Sequence, residues 1–483
     1  MNSFAQAMID AGIAACEAGQ FAAADAALRF AVGAGTDGLV PWLIGHVALR
    51  RDDPAAALAW LTLAEAIEPG QPMVQRNLGD VMRLLGRLED ATAAYRRAIA
   101  ADPAAIEPYS ALVAILHLLH RDTEALAWAE QALRAATDAP AAHRMLGHVL
   151  SWLNRHADAV GQYRLAMALH PDDALTRYHE GLDLLALGDF AQGWRSHEAR
   201  LELDHHRGRQ EEVTGRLWRG ESEIAGETIL LHAEQGLGDT LQFVRYVPMV
   251  AARGAQVWLK ADAILLPLLA SVPGIARLMP LNEASPEVAW CAPLLSLPLA
   301  FATTLSTIPA QVPYLRADPA RVRAWRSRLG TDRRRQIGLA WSGNPEHPHD
   351  RLRSIPLARL TPLLARRDCV VHVIQPTTRE DDGASLTAFA LHHHGALLTD
   401  FAETAALMAC LDLVISVDSA PAHLAGALGR PTWVLLAWHA DWRWMRDRHD
   451  SPWYPTMRLF RQPQAGDWES VVAAVAAALD GGP

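Results

Sequence analysis

Lysine is almost absent from this 483-residue sequence, in which Lys260 is the one example. A phosphate-binding loop of the Walker A type needs a Gly-Lys pair, so the sequence excludes that loop. Phosphate recognition would instead fall to arginine side chains, backbone amides and helix N-termini. The formal net charge of −10 also argues against nucleic acid or an anionic membrane as a partner, because both attract clustered positive charge.

Paired cysteines, a targeting segment and long apolar runs are also missing. The cysteines are scattered without paired spacing: Cys16, Cys291, Cys369 and Cys410. This spacing predicts neither disulfides nor a zinc site, and it favours a reducing compartment. Asp10 and Glu17 interrupt the first apolar stretch and no basic segment precedes it, so no signal peptide is predicted. No uncharged apolar run reaches about 18 residues, and we therefore expect a cytoplasmic protein without a transmembrane segment.

A period of 34 residues organises the first two hundred positions. Alanines recur at this spacing in two series: Ala57, Ala91, Ala125 and Ala159, and Ala64, Ala98, Ala132 and Ala166. Glycines fall on the same grid at Gly45, Gly79, Gly147 and Gly181, and larger side chains at Leu61, Tyr95 and Tyr163. The pattern closely resembles the tetratricopeptide repeat (TPR), in which small residues let paired helices approach and larger ones fill the gap.

Five such repeats are predicted between residues 5 and 173, and a degenerate sixth between 174 and 203. We therefore expect an all-α TPR superhelix over 1–203, which would serve as a protein-binding scaffold. An alanine-rich helical bundle without repeats is the alternative. Residues 204–226 lose the period, turn polar and are predicted to be a linker.

The remaining residues alternate short apolar runs with amphipathic segments, which is typical of parallel α/β sheets. Strands are predicted at 228–233, 256–260, 277–281, 336–341, 369–375, 396–400, 412–418 and 432–437. A proline break and an arginine-rich helix separate the two groups of strands. The pattern describes two Rossmann-like lobes of a GT-B fold, at 227–318 on the acceptor side and 319–483 on the nucleotide-sugar side. A single large doubly wound sheet is the alternative.

The first predicted strand runs into Glu234-Gln235-Gly236-Leu237-Gly238-Asp239-Thr240, which opens a helix. Loops at this end of a strand bind ligands in open α/β sheets. Gly236 and Gly238 permit close backbone approach, although Leu241 breaks the dinucleotide fingerprint. Asp239 is either the N-cap of the helix or a carboxylate that faces the cleft.

A second loop, Asp418-Ser419-Ala420-Pro421-Ala422-His423, leaves the strand at 412–418 and enters a helix. Free N–H groups at a helix start favour a diphosphate, Ser419 adds a donor, and His423 lies one turn further on. A structural cap with a buried histidine is the alternative. A third loop follows the strand at 336–341, where Ser342, Asn344, Arg351 and Arg353 could bind phosphate. An exposed connection explains that loop equally well.

At these loops the sequence resembles a known family. The second loop is similar to the Asp-Ser/Thr-Gly/Ala-x-x-His signature of ADP-heptose-type heptosyltransferases, which implies that Asp418, Ser419, Ala420 and His423 bind the donor. The first loop looks like the Gly-Asp turn of the same family, which implies that Asp239 is the catalytic base. The plan of TPR repeats before a GT-B domain resembles protein O-GlcNAc transferases and bacterial flagellin glycosyltransferases.

The resemblance implies a glycosyltransferase that moves a sugar from a nucleotide-diphosphate sugar to a hydroxyl, and the expected acceptor is Ser or Thr of a protein docked on the repeats. No cofactor or metal is expected. A catalytically inactive scaffold for protein assembly is the alternative, and a two-lobed epimerase is a third. Two features are discounted as sites: the turn at His392-His393-His394, and the aromatic segment Trp438–Trp444, which could stack a base.

Overall fold

The computed structural model of the chain describes residues 3–32, 38–203, 213, 215–346, 350–389 and 391–481. Contacts divide the chain into two compact units, residues 1–171 and 172–483. Among the described residues, the longest apolar helices still fall short of what a membrane crossing requires.

The described part of the first unit consists of paired helices. Their bounds are α1 Ser3–Glu17, α2 Phe21–Ala31, α3 Leu39–Arg50, α4 Pro54–Ile67, α5 Pro72–Leu84, α6 Leu88–Ala101, α7 Ile106–Leu118, α8 Asp122–Ala135, α9 Pro140–Trp152 and α10 His156–Leu169. Gly79 shows why the repeat needs small residues, since a Cβ there would lie 2.6 Å from Cε1 of Tyr95. The alanines at 57, 91, 125 and 159 are fully buried. The TPR prediction is confirmed.

The second unit begins with another helical pair, α11 Ala174–Ala186 and α12 Phe190–His197, which continues in a 3₁₀ turn at Glu198–Glu202. These are the residues predicted as the degenerate last repeat, and here they pack within the unit that contains the sheets. The Arg200 guanidinium is fully buried and donates to Glu234 Oε2 (2.9 Å) and Oε1 (2.8 Å). The Trp194 indole N–H donates to the Thr303 carbonyl at 3.0 Å.

Two separate parallel sheets follow, so the two-lobed prediction is confirmed and the single-sheet alternative is wrong. The strands are β1 Arg216–Leu217, β2 Thr228–His232, β3 Gln256–Ala261, β4 Ile275–Pro280, β5 Trp290–Pro293, β6 Arg335–Ala340, β7 Cys369–Val373, β8 His392–His393, β9 Leu413–Val417, β10 Thr432–Leu436 and β11 Met457–Arg461. The first sheet has the order β1-β5-β2-β3-β4 and the second β11-β10-β9-β6-β7-β8.

Helices cover both sheets. Their bounds are α13 Leu237–Phe243, α14 Val247–Ala251, α15 Leu266–Leu269, α16 Leu297–Ala300, α17 Pro319–Leu329, α18 Asp350–Arg353, α19 Thr361–Leu364, α20 Gly383–Ala388, α21 Phe401–Met408, α22 Ala420–Ala427 and α23 Trp468–Asp480. The first sheet begins with the short edge strand β1 and continues in the inner strand β2, the second sheet begins in the inner strand β6, and later strands lie on both sides of β2 and of β6. Such a switch point leaves a crevice at the carboxyl ends of the strands.

One predicted strand is wrong. Residues 396–400 lie in and after the 3₁₀ turn Gly395–Leu397, and Asp400 is the N-cap of α21, where its side chain accepts from the Glu403 N–H at 2.8 Å. Leu398 is buried, so an apolar loop residue produced the strand-like pattern. The edge strand is β8, within the segment predicted as a solvated turn. Of the predicted linker, 204–212 and 214 lie outside the described residues, and β1 pairs with β5.

Candidate active site

A cleft of about 710 Å³ lies between the carboxyl ends of the two sheets. Connections from both sheets converge on it, among them those that follow β2, β6, β7, β9 and β10. Most of the predicted site residues line it: Gly236, Gly238, Asp239, Ser342, Asn344, Arg353, Asp418, Ser419, Ala420 and His423. Arg351 is exposed and does not line the cleft. Residues 347–349 of the third loop lie outside the described residues.

Asp239 is not the N-cap of its helix, which was one of the two roles that the sequence left open, and its carboxylate faces the cleft. The N-cap of α13 is Gly236, and Asp239 lies three residues later, where its Oδ2 accepts from the Gly236 N–H at 2.9 Å. The same carboxylate lines the cleft and keeps 19% of its side chain exposed. Burial raises the pKa of Asp239 above its ordinary value, and the nearby Arg443 charge opposes that rise. A raised pKa suits a carboxylate that must accept a proton.

Arg443 is the main cleft residue that the sequence reasoning missed. It lies in the 3₁₀ turn Trp442–Trp444 after β10, inside the aromatic segment that was set aside as packing. Its Nη2 donates to Asp239 Oδ1, its Nε to Gln242 Oε1 at 2.6 Å, and its Nη1 to both Asp441 oxygens at 2.9 and 3.0 Å. An arginine beyond the carboxyl end of an inner strand was the available signal, but no local pattern distinguishes it from a structural arginine.

The second loop starts α22 as predicted. Ser419 is the N-cap and makes no side-chain capping bond; its hydroxyl donates to the Val417 carbonyl at 3.2 Å. Asp418 stands at the end of β9, and burial, reinforced by Asp441, raises its pKa to about 6, against the influence of Arg353. Half of the Asp418 population therefore carries a proton at that pH.

His423 is buried one turn into α22. Its Nδ1 lies 2.9 Å from the Tyr454 hydroxyl, its ring stacks on Trp444 with centroids 5.5 Å apart, and its Nε2 lies 4.0 Å from Asp418 Oδ1. Burial lowers the pKa of His423 well below its ordinary value, and Arg443 adds to the effect. The imidazole is therefore neutral at pH 7, with one ring nitrogen as donor and one as acceptor.

Gly238 brings the first and second loops together. A Cβ at this position would lie 2.9 Å from Cδ2 of His423 and 3.7 Å from the Ala420 backbone. The absence of a side chain therefore allows α13, from the first lobe, to contact α22, from the second. This is the close approach for which the glycines of the first loop were singled out.

The third loop forms a hydrogen-bonded wall. The Gln375 carboxamide oxygen accepts from the Trp341 N–H at 2.9 Å, and its NH₂ group donates to Ser342 Oγ at 2.9 Å. Arg353 Nη1 donates to the Asp418 carbonyl at 3.2 Å, which ties this loop to the second. Asn344 is exposed at the rim of the cleft.

Two other groups of polar residues, Glu234 and the histidines near β8, lie outside the cleft. Glu234 is held by Arg200 and does not line the cleft, so it is not positioned to replace Asp239 as a base. His372 contacts His394 at 3.1 Å beside β8, and burial lowers the pKa of both to about 4. Within the described residues, no group of three or more His, Cys, Asp or Glu side chains is arranged to hold a metal ion.

Comparison with known proteins finds a family model that matches part of the second unit and a relative that matches most of the chain. Residues 363–461 match the model of glycosyltransferase family 9 (heptosyltransferase), a span that includes the second loop and Arg443. Protein FlbA of Caulobacter vibrioides is 26% identical over 469 residues, which cover 90% of this chain and 77% of FlbA.

Solved structures of TPR proteins are similar to parts of the chain. YrrB, a TPR protein with an unusual peptide-binding site, matches with a TM-score of 0.30 and 15% identity, covering 37% of this chain and 92% of YrrB. A thermophilic TPR protein of Thermus thermophilus matches with a TM-score of 0.32 and 21% identity, covering 38% of this chain and 99% of that protein. The chain is a glycosyltransferase in which helical repeats precede a GT-B fold, and part of its C-terminal lobe matches the model of glycosyltransferase family 9 (heptosyltransferase).

Proposed function

We propose that this glycosyltransferase moves a sugar from a nucleotide-diphosphate sugar to the hydroxyl of a Ser or Thr residue in a protein acceptor. The observation that supports this reaction is the meeting of Asp239, from the first lobe, with the Asp418–His423 loop, from the second, in one cleft. A sugar transfer needs a base for the acceptor hydroxyl and a site for the leaving diphosphate. A carboxylate on one wall of the cleft and the N-terminus of a helix on the other wall would meet these two needs.

In the proposed reaction the acceptor oxygen attacks the anomeric carbon, and the bond from that carbon to the diphosphate oxygen breaks. Asp239 accepts the hydroxyl proton, and the nucleoside diphosphate leaves with the electron pair of the broken bond. The start of α22, Ser419 and Arg353 lie on the wall where they would stabilise the leaving charge. Neutral His423 would donate one hydrogen bond from Nε2 while Nδ1 accepts from Tyr454.

We propose the described donor-side residues as the diphosphate and sugar site: Gly236, Gly238, Ser342, Asn344, Arg353, Asp418, Ser419, Ala420 and His423. Arg351, which the sequence also suggested, is not included because it lies outside the cleft. The helical repeats of the first unit would bind the protein acceptor. TPR arrays present extended surfaces to polypeptides, which suits them to this role.

The test is incubation of the purified chain with nucleotide-diphosphate sugars and candidate acceptor proteins, followed by measurement of nucleoside diphosphate release and acceptor mass. We expect one donor to support release that depends on the acceptor. Asp239→Asn should abolish acceptor-dependent release. A chain that binds no nucleotide sugar, or whose acceptor never gains the mass of a sugar, would contradict the proposal.

A further inference from the structure

The cleft has few positive charges for an anionic donor. Five aspartates line it, at 239, 262, 400, 418 and 441, and its arginines among the described residues are Arg353 and Arg443. Asp400 is compensated by Arg321, with contacts of 2.9 and 3.0 Å. A diphosphate that enters between the remaining carboxylates needs both arginines, because unpaired negative charges at short range repel one another strongly where water is excluded.

Arg443 donates from each of its three guanidinium nitrogens. Gln242 holds Nε and Asp441 holds Nη1, while the guanidinium packs 4.3 Å from the Trp442 ring. Nη2 donates to Asp239, whose carboxylate faces the cleft. Because Nη2 carries two N–H groups, it can contact a second anion while Gln242 and Asp441 keep the guanidinium in place.

We propose that Arg443 is a positioning residue shared between Asp239 and the donor diphosphate, so that Asp239 becomes an effective base only after the donor has bound. The proposal rests on the proposed function. Before the donor binds, the ion pair holds the carboxylate in place and stabilises its charged form. A bound diphosphate takes part of the Arg443 hydrogen bonding and places new negative charge beside Asp239, and both changes favour protonation of Asp239.

The charge and proton balance of transfer follows from this sharing. The acceptor hydroxyl proton moves to Asp239, which becomes neutral and releases its share of Arg443. The leaving diphosphate gains negative charge at the same moment and recruits the released N–H. Other charged groups that act on Asp239 are Asp441, from the same loop as Arg443, and Glu234, at the end of β2. Neither carboxylate has an N–H group to offer a diphosphate, so Arg443 is the group that couples the two events.

The first test measures binding of ADP, GDP, UDP and CDP to the full chain by calorimetry. We expect Arg443→Gln to weaken binding of the tightest-binding nucleotide at least tenfold, since a charge-assisted contact is lost. Arg448→Gln is the matched control, because Arg448 belongs to the same segment and pairs with exposed Asp450 at 2.8 Å outside the cleft. Arg443→Lys keeps the charge without the fork and decides the question if Arg443→Gln fails to fold.

A second measurement separates sharing from a merely structural role. Asp239→Asn removes the carboxylate that competes for Arg443, so nucleotide affinity should rise several-fold, and the rise should vanish in Asp239→Asn/Arg443→Gln. In the active enzyme, Arg443→Lys should move the acidic limb of the pH–rate profile to higher pH, because a less closely paired Asp239 protonates more readily.

The outcomes are distinct. If the wild-type chain binds none of the four nucleotides, the proposed function itself fails. If it binds one and the folded Arg443 variants bind it equally well, only the sharing role is overturned. Unchanged affinity in Asp239→Asn would overturn it as well.

Discussion

Asp239 and Asp418 face the same cleft from opposite lobes, and burial raises the pKa of each. They differ in their partners, since Asp239 contacts Arg443 whereas Asp418 lies beside Asp441 and the neutral ring of His423. Asp239 is therefore oriented by an ion pair, whereas burial beside Asp441 raises the pKa of Asp418 to about 6. From this contrast we propose that Asp239 accepts the proton of the acceptor hydroxyl and that Asp418 forms a wall of the donor site.

Asp239→Asn keeps the size of the side chain and its bond from Gly236, but the amide cannot accept a proton. We expect the turnover number to fall about 10²-fold or more, without weaker donor binding. Steady-state rates of acceptor modification check this. Asp262→Asn is the control, because that carboxylate also lines the cleft but caps the Ile264 N–H at 3.0 Å. Equal losses in the two variants would show a general electrostatic effect and not a base.

His423→Ala should weaken binding of the nucleotide sugar by about 1–3 kcal/mol, the scale for loss of a buried hydrogen bond. Calorimetry on the folded variant measures this. Tyr454→Phe serves as the comparison, because it removes the hydroxyl beside Nδ1 and keeps the imidazole. If His423→Ala binds the donor as tightly as the wild type, the helix start of α22 does not need this side chain.

Site residues that follow an apolar strand could be predicted, because the strand next to them is recognisable in the local sequence. Asp239 and Asp418 lie where a buried strand is followed by a helix. The alternation of strands and helices along the sequence places both residues at the carboxyl ends of parallel strands. Arg443 has no such signal. Its role depends on Asp239, more than two hundred positions earlier, and the sequence shows an arginine among tryptophans. The same holds for Arg200 and Glu234, whose pairing joins a predicted repeat to a predicted strand loop.

At the scale of elements, α13 and α22 pack against each other at a point that tolerates no side chain. Gly238→Ala would place a Cβ 2.9 Å from His423 Cδ2, and the ring is buried against Trp444. We expect thermal unfolding to report a loss of about 1–3 kcal/mol, as for other overpacked contacts, together with weaker nucleotide binding.

Gly383→Ala is the matched control for this substitution, because no heavy atom lies within 4 Å of the added Cβ. It should leave both stability and binding unchanged. Wild-type stability and affinity in Gly238→Ala would mean that the two helices can separate without cost, and that His423 does not depend on their contact.

Strand prediction succeeded where an apolar run is long and failed where it is short. The runs at β2, β6, β9 and β10 are nearly all buried, and each was found. Two-residue β1 and the histidines of β8 carry no periodicity, and β5 merges with the leucines after it. The segment 396–400 failed for the opposite reason, since Leu398 is buried without belonging to a strand.

At the scale of the whole molecule, the last predicted repeat is part of the catalytic unit. Arg200 sits in buried contact with Glu234, and Ser296 Oγ accepts from the same guanidinium at 2.8 Å. A fragment that begins near residue 208 lacks Arg200, so the buried Glu234 carboxylate loses both hydrogen bonds from the guanidinium. Removal of the partner of a buried charge destabilises the fold by about 3–5 kcal/mol. A fragment of 172–483 keeps them.

We expect the fragment 172–483 to fold and to bind the nucleotide sugar, and a fragment from residue 208 to lose the folded state. Circular dichroism on heating shows whether each fragment is folded, and calorimetry measures binding of the nucleotide sugar to the fragment 172–483. If the repeats bind the protein acceptor as we propose, the folded fragment should no longer modify it, because the affinity that the repeats supply is lost. Modification at the rate of the full chain would show that the repeats bind some other partner.

Helix α13 belongs to the first lobe by sequence but is tied to the second. Arg443 donates to Gln242 in this helix, and Arg245, in the turn that follows it, donates to the Trp453 carbonyl at 2.8 Å. Separation of the lobes must break these bonds, so spent nucleotide would leave slowly compared with chemistry. Rapid mixing should then show a burst of about one product per enzyme before the steady state, whereas a linear onset would mean that the cleft empties freely. A slow exit would also prolong the time during which each acceptor stays bound beside the catalytic base.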